Sequence, residues 1–167
     1  MSFRVRPAVP ADVRAIRALV EPYAAERILL AKEWVGYYEA VQEFVVAEAD
    51  DGTVRGCGAL HVMWQDLAEI RTLAADRSYR GTGVGHALLD ALLDRARELG
   101  LRRVFCLTFE VEFFESHGFH VIEGTPVTPD VYLELLRSHD DGVAEFLDLA
   151  RVKPNTLGNT RMLIELD

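Results

Sequence analysis

The chain has 167 residues, half of them hydrophobic and 27% charged, with a net charge of −9. That is enough apolar mass for one domain over residues 1–167 with its own core, and the acidic balance speaks against nucleic acid as the main partner, because phosphate binding needs a basic surface. Two cysteines, Cys57 and Cys106, make no disulfide framework, no apolar run reaches the length of a membrane span, and residues 1–7 lack the apolar core of a signal peptide, so a cytoplasmic chain without a membrane partner is expected.

Residues 3–6 alternate and predict a first strand. Asp12 follows Pro10 as an early helix residue or cap, and Val13, Ile16, Leu19, Val20 and Tyr23 give an amphipathic helix to about residue 26, with Pro22 predicting a kink or a break. Residues 33–41 predict a short helix carrying Trp34, Tyr37 and Tyr38. Its apolar side chains are read first as core, with a homodimer surface as the alternative. Residues 44–49 and 54–64 predict two strands around the hairpin signal Asp50-Asp51-Gly52, and Gly56 and Gly58 are read as bulge markers. A third strand is expected over 67–75, a helix from about 83 to 99 stopped by Gly100, and a buried strand over 104–108. That last strand follows a crossover helix, so it should run parallel to 67–75. Further elements are expected at 110–117, 119–122, 128–136, 142–149 and 162–166. The pattern is α/β (α+β): a twisted, mostly antiparallel sheet with one parallel strand pair and helices on both faces.

The most informative stretch joins strand 67–75 to the helix. It reads Arg80-Gly81-Thr82-Gly83-Val84-Gly85-His86. Glycines let backbone approach a ligand closely, and the first amides of a helix have no partner inside it and carry partial positive charge. Together they form a phosphate cradle. It is not a Walker loop, since Val84-Gly85-His86 stands where a Lys-Ser or Lys-Thr pair is needed. Its third glycine comes one position too early for the dinucleotide fingerprint, and the loop does not open the domain.

What fits is R-G-x-G-x-G after a strand ending Leu73-Ala74-Ala75-Asp76, which resembles the acetyl-CoA motif of the GNAT superfamily of N-acetyltransferases. Phe113-Phe114-Glu115-Ser116-His117-Gly118-Phe119 is similar to a second segment of that superfamily, at compatible spacing. The resemblance narrows to short, single-domain relatives of N-acetylglutamate synthases. It is carried by Ile28-Leu29-Leu30-Ala31-Lys32, Gly56-Cys57-Gly58-Ala59-Leu60, Glu69-Ile70-Arg71-Thr72-Leu73-Ala74, Glu123-Gly124-Thr125-Pro126, Lys153-Pro154-Asn155 and Asn159-Thr160-Arg161-Met162-Leu163. The long synthases add an amino-acid-kinase-like domain that binds arginine; resemblance to the short relatives implies that none is expected here, nor arginine feedback by that route.

This resemblance implies a parallel strand pair that splays apart where pantetheine enters. The backbone of Leu73, Ala74 and Ala75 would bond to that arm, and the amides of Gly81, Thr82, Gly83, Val84, Gly85 and His86 would hold the pyrophosphate, with Arg80 as charge partner. Acetyl-CoA would be the co-substrate, with no metal. Glu69 would be the general base toward an amino-acid ammonium. Where many relatives place an acidic tyrosine this chain has Phe114, so Thr108 is the candidate donor to the leaving thiolate. Lys32, with the Leu30 backbone, would hold the acceptor's carboxylate; Arg71 would reach its side chain, and Thr160 and Arg161 are weaker candidates. The implied activity is acetylation of the α-amino group of L-glutamate, the first step of arginine biosynthesis. Glutamine, another small amine, a protein N-terminus and a non-catalytic CoA-binding module remain the alternatives.

Overall fold

β1 (Phe3–Pro7) pairs antiparallel with β2 (Phe44–Ala49), Phe3 opposite Ala49 and Pro7 opposite Val45, in a computed structural model that describes residues 2–30 and 32–167. Between them run α1 (Val13–Ala25) and α2 (Trp34–Glu39). β3 (Val54–Trp64), β4 (Leu67–Ala75) and α3 (Val84–Glu98) follow. Then come β5 (Arg103–Thr108), α4 (Val111–Glu115), β6 (His120–Val121), α5 (Pro129–Leu135), α6 (Asp141–Phe146), α7 (Lys153–Thr156) and β7 (Thr160–Glu165). The seven strands take the order β1-β2-β3-β4-β5-β7-β6. The chain forms two units: one runs to His61 and resumes over Ile70–Glu98, and the other takes Val62–Glu69 and Leu99–Asp167.

In the first unit, helices cover both faces of β2. Val46 packs with Val13, Ile16 and Val20 of α1, whereas Ala47 and Ala49 pack with Val84 and Leu88 of α3. Adjacent strand residues point to opposite faces, so one strand serves two helices. α1 is fixed at its start by Asp12, which accepts the Val9 amide at 2.8 Å and takes the Arg6 guanidinium in a fork, at 2.8 and 2.9 Å. That fork holds the Asp12 carboxyl below the usual aspartate range. α1 continues through Pro22 rather than breaking there. The bond that proline forfeits lies in the final turn, where helix ends already fray.

The expected bulge in β3 falls one residue earlier than the glycines. Ala47 faces Gly56 and Glu48 faces Val54, so Arg55 is the extra residue. The glycines serve a different purpose. A Cβ on Gly56 would stand 2.9 Å from Leu88 Cδ1, and one on Gly58 would stand 2.9 Å from Leu92 Cδ1. Bare backbone lets α3 sit directly on β3; a methyl group here overpacks the core at a cost of roughly 1–3 kcal/mol.

In the second unit, β4 and β5 are parallel through three pairs, Leu67↔Arg103, Ala68↔Val104 and Glu69↔Phe105. β7 then pairs antiparallel along all of β5, from Arg103↔Glu165 to Thr108↔Thr160. Leu67, Phe105, Phe146 and Leu163 form the core, with the Phe105 and Phe146 rings edge to face at 4.9 Å. Thr128 and Asp140 cap α5 and α6 through their side-chain oxygens. The short helix α7 stands where no element was expected. Among the described residues, no helix is long and apolar enough to cross a membrane.

Candidate active site

The glycine-rich turn is built as a cradle. After β4, Asp76 starts a single 3-10 turn, Arg77–Tyr79, and its carboxylate accepts from the Ser78 amide at 2.9 Å and the Ser78 hydroxyl at 2.6 Å. The buried Tyr79 follows, and its carbonyl accepts the Thr82 hydroxyl at 2.5 Å and the Thr82 amide at 3.2 Å. Gly81 and Gly83 take φ of +77° and +87°, which a side chain disfavours, and no atom lies within 4 Å of where a Cβ would stand. Gly83 caps α3 by accepting the Ala87 amide. A glycine cap brings no side-chain acceptor, so the first-turn amides at Val84 and Gly85 point past it. The open space, the positive φ angles and a 15-residue helix behind them suit a diphosphate.

Upstream on β4, Thr72 has φ +58°. A β-branched residue in this region costs about 1–3 kcal/mol and persists only where its surroundings impose it. It separates Glu69 and Arg71 from the backbone of Leu73, Ala74 and Ala75. The Thr72 carbonyl accepts the Cys57 thiol at 3.5 Å, and the Ala75 carbonyl accepts the Tyr23 hydroxyl at 2.7 Å. In the same unit, Lys32 and Arg71 are half-buried and Leu30 is exposed. The Lys32 main chain bonds to the hydroxyl of buried Tyr37. Within 33–41 the reading as core holds for Tyr37 and Val41, whereas Trp34, Val35 and Tyr38 are exposed, and Trp34 lies under Arg17 at 4.3 Å and Arg14 at 5.6 Å.

The second unit gathers Glu69, Thr108, Thr160 and Arg161. Glu69 is 4% exposed and stands at the last pair of the parallel register. Burial raises the Cys106 thiol and lowers the Arg161 guanidinium; the Glu69 charge reaches both, adding to the first shift and, with Asp148, opposing the second. Thr108 and Thr160 are direct partners across β5 and β7. The Thr108 Oγ1 accepts the Glu110 amide at 2.8 Å, which leaves its own proton to donate. Arg161 lies over the Phe105 ring at 4.9 Å. It donates to the carbonyls of Gly124 at 3.1 Å, Glu145 at 3.1 Å and Phe146 at 2.5 Å. Three of its five N–H groups therefore hold backbone. Phe114 is buried against Phe119, ring to ring at 5.1 Å, and carries no proton to give.

Both thiols are unsuited to attack. Burial pushes Cys57 up to about 12 and Cys106 well above its usual value. Among the described residues, no three histidine, cysteine or acidic side chains gather to hold a metal ion. A cavity of about 430 Å³ in the second unit, lined by Trp64, Asp66, Arg103, Pro126, Val127, Thr128 and Val131, includes none of the expected site residues. It lies at the start of β5, about 17 Å along the strand from Thr108.

Three residues escaped the sequence reading: Thr72, Asp76 and Arg55. For Asp76 a signal was present, since Asp-x-Ser is a local turn-capping pattern. Nothing in the sequence marks Thr72.

The model of the acetyltransferase (GNAT) family matches residues 13–120. Over 164 residues the chain is 62% identical to the amino-acid acetyltransferase of Mycobacterium tuberculosis, covering 97% of this chain and 94% of that one. The crystal structure of Rv2747 from Mycobacterium tuberculosis, in complex with CoA and NLQ, superposes with a TM-score of 0.96 at 61% identity, over 98% of this chain and 99% of that one. The N-acetylglutamate synthase of Neisseria gonorrhoeae, complexed with coenzyme A and N-acetyl-glutamate, superposes with a TM-score of 0.79 at 24% identity, over all of this chain and 36% of that one.

Proposed function

The chain belongs to the acetyltransferase (GNAT) family, and we propose that it is a cytoplasmic enzyme of arginine biosynthesis that moves acetyl from acetyl-CoA to the α-amino group of L-glutamate, with Glu69 as general base. Acylation of a free amino acid is supported by near full-length identity to the Mycobacterium tuberculosis amino-acid acetyltransferase. The observation that carries the mechanism is Glu69: a carboxylate 4% exposed at the end of a parallel register. A buried carboxylate is costly and persists where a partner or a task holds it.

Acetyl-CoA supplies the activated acyl thioester. The turn amides from Gly81 to His86, with Arg80, bind its diphosphate, and the backbone of Leu73, Ala74 and Ala75 receives the pantetheine arm as an added strand. Glu69 takes a proton from the acceptor's ammonium, directly or through one water, and so frees the nitrogen lone pair. A backbone amide next to the Thr72 turn, near Leu73, stabilises the charge developing on the acyl oxygen. The Thr108 hydroxyl, polarised by the Glu110 amide it accepts, hydrogen-bonds the departing thiolate. Lys32 with the Leu30 backbone binds the acceptor's α-carboxylate and Arg71 its side chain, with Thr160 and Arg161 as weaker candidates for the acceptor. Two buried, protonated thiols favour direct attack over a thiol-bound acyl enzyme.

The test is release of free CoA from acetyl-CoA across a panel of amino acids, peptides and simple amines. Preference for glutamate by tenfold or more in kcat/KM is expected. Preference for glutamine keeps the mechanism and reassigns Arg71. Turnover only on peptide N-termini discards the amino-acid pocket, and CoA binding without turnover on any amine leaves a binding module.

A further inference from the structure

We infer that Arg55 is a positioning residue for the diphosphate turn, holding it from the bulge in β3 through Asp76 and Tyr79. The inference rests on the reading of Arg80–His86 as the CoA cradle and adds a residue that lies outside that motif.

The bulge makes the placement. Arg55 is the unpaired extra residue between Ala47↔Gly56 and Glu48↔Val54, and a bulge re-aims its side chain relative to the strand's alternation. Both its backbone and its side chain meet the start of the turn. The Arg55 carbonyl accepts the Asp76 amide at 2.8 Å. Its guanidinium donates to Asp76 Oδ2 at 3.2 Å and lies 5.5 Å from the centre of the Tyr79 ring. Asp76 uses its other oxygen, Oδ1, for the Ser78 amide and hydroxyl. One carboxylate is thus shared between β3 and the turn. Tyr79 is wedged among Ala47, Ala49, Val84 and Leu88, and its carbonyl carries Thr82. The chain of contacts runs Arg55, Asp76, Ser78, Tyr79, Thr82, and ends between the two glycines with positive φ. The next residue, Gly56, has no side chain, so α3 rests close behind the same turn.

Arg55 Nε is buried and has no hydrogen-bond partner. A side chain placed for its own stability satisfies its donors. This one is held where one terminal nitrogen reaches Asp76, the other lies 4.0 Å from Asp51 Oδ2 and the guanidinium carbon sits 5.5 Å from the centre of the Tyr79 ring, at the expense of one donor. Lysine cannot meet both partners with one planar group.

The experiment uses the full chain and four variants: Arg55→Gln, Arg55→Lys, Asp76→Asn and the Arg55→Gln/Asp76→Asn pair. CoA affinity is read by calorimetry, amide hydrogen exchange over residues 76–83 by mass spectrometry, and acetyl-CoA KM against kcat by thiol release. With Arg55→Gln we expect CoA affinity to fall about tenfold, exchange over 76–83 to quicken at least fivefold, and KM to rise with kcat held. Arg55→Lys should fall between Gln and wild type and serves if Arg55→Gln does not fold. Asp76→Asn should act like Arg55→Gln, with the pair little worse than either. Unchanged exchange over 76–83 in a folded Arg55→Gln protein overturns the brace, whatever CoA does. Loss of CoA affinity in Arg55→Gln but not in Asp76→Asn also overturns it, because it makes Arg55 a direct ligand. A wild-type chain that binds no CoA sinks the cradle reading itself, while the exchange result still judges the brace.

Discussion

Two regions carry the proposed chemistry, and they are built on different principles. The turn from Asp76 to Gly85 is built mainly on backbone: amides at a helix start, two glycines in left-handed conformation, and side chains that brace it, with Arg80 as the one proposed charge partner. The region of Glu69, Thr108 and Arg161 works through side chains, and most of those also hold the fold. Arg161 grips three carbonyls, and Thr108 takes an amide. A backbone site tolerates many sequences provided that its glycines remain. A side-chain site asks each residue to meet two demands at once.

The comparison breaks most visibly at Glu69. Glu69→Gln keeps shape and removes the proposed base, so kcat should fall about 10²- to 10⁴-fold with CoA affinity unchanged; turnover unchanged at neutral pH would end its role as base. Gly83→Ala should act in the opposite sense. Its φ of +87° costs an alanine about 1–2 kcal/mol, so acetyl-CoA KM should rise roughly 5- to 30-fold with the acceptor's KM unmoved. A change confined to the acceptor would show that the two regions are not separable. Arg161→Lys gives the smallest kinetic effect and tests the double duty. It leaves carbonyls of Gly124, Glu145 and Phe146 without their donor, so we expect a loss of about 2 kcal/mol and a fall in Tm of roughly 4–8 °C. A large rise in acceptor KM without a Tm change would make Arg161 a ligand first and a brace second.

The same contrast governs what could be read from the sequence. The turn was legible because Gly81, Gly83 and Gly85 have no side chain to mislead, and alternation or helical spacing located β4 and α3 around them. The parallel pairing of β4 and β5 followed from the crossover rule. Glu69 could be named, but its burial could not, since a carboxylate at a strand position is equally at home in water. Arg161 carried the same charge in the sequence whether it met a substrate or three carbonyls. Gly56 and Gly58 look like bulge glycines, and only the third dimension shows α3 lying on them. Thr72 was illegible for a deeper reason: threonine favours extended strands, and here the surroundings override that preference.

Thr72 has a consequence for how β4 is measured out. A strand is a ruler whose marks alternate between two faces, and a single left-handed residue resets the count. Glu69 and Arg71 are spaced on one ruler, and Leu73, Ala74 and Ala75 on another that begins afresh after Thr72. The phase of Glu69, the proposed proton acceptor, and that of the strand edge proposed to receive pantetheine are therefore set apart, though they share nine consecutive residues. If the proposed roles hold, one of them can be tuned to a different acceptor while the other keeps the same co-substrate.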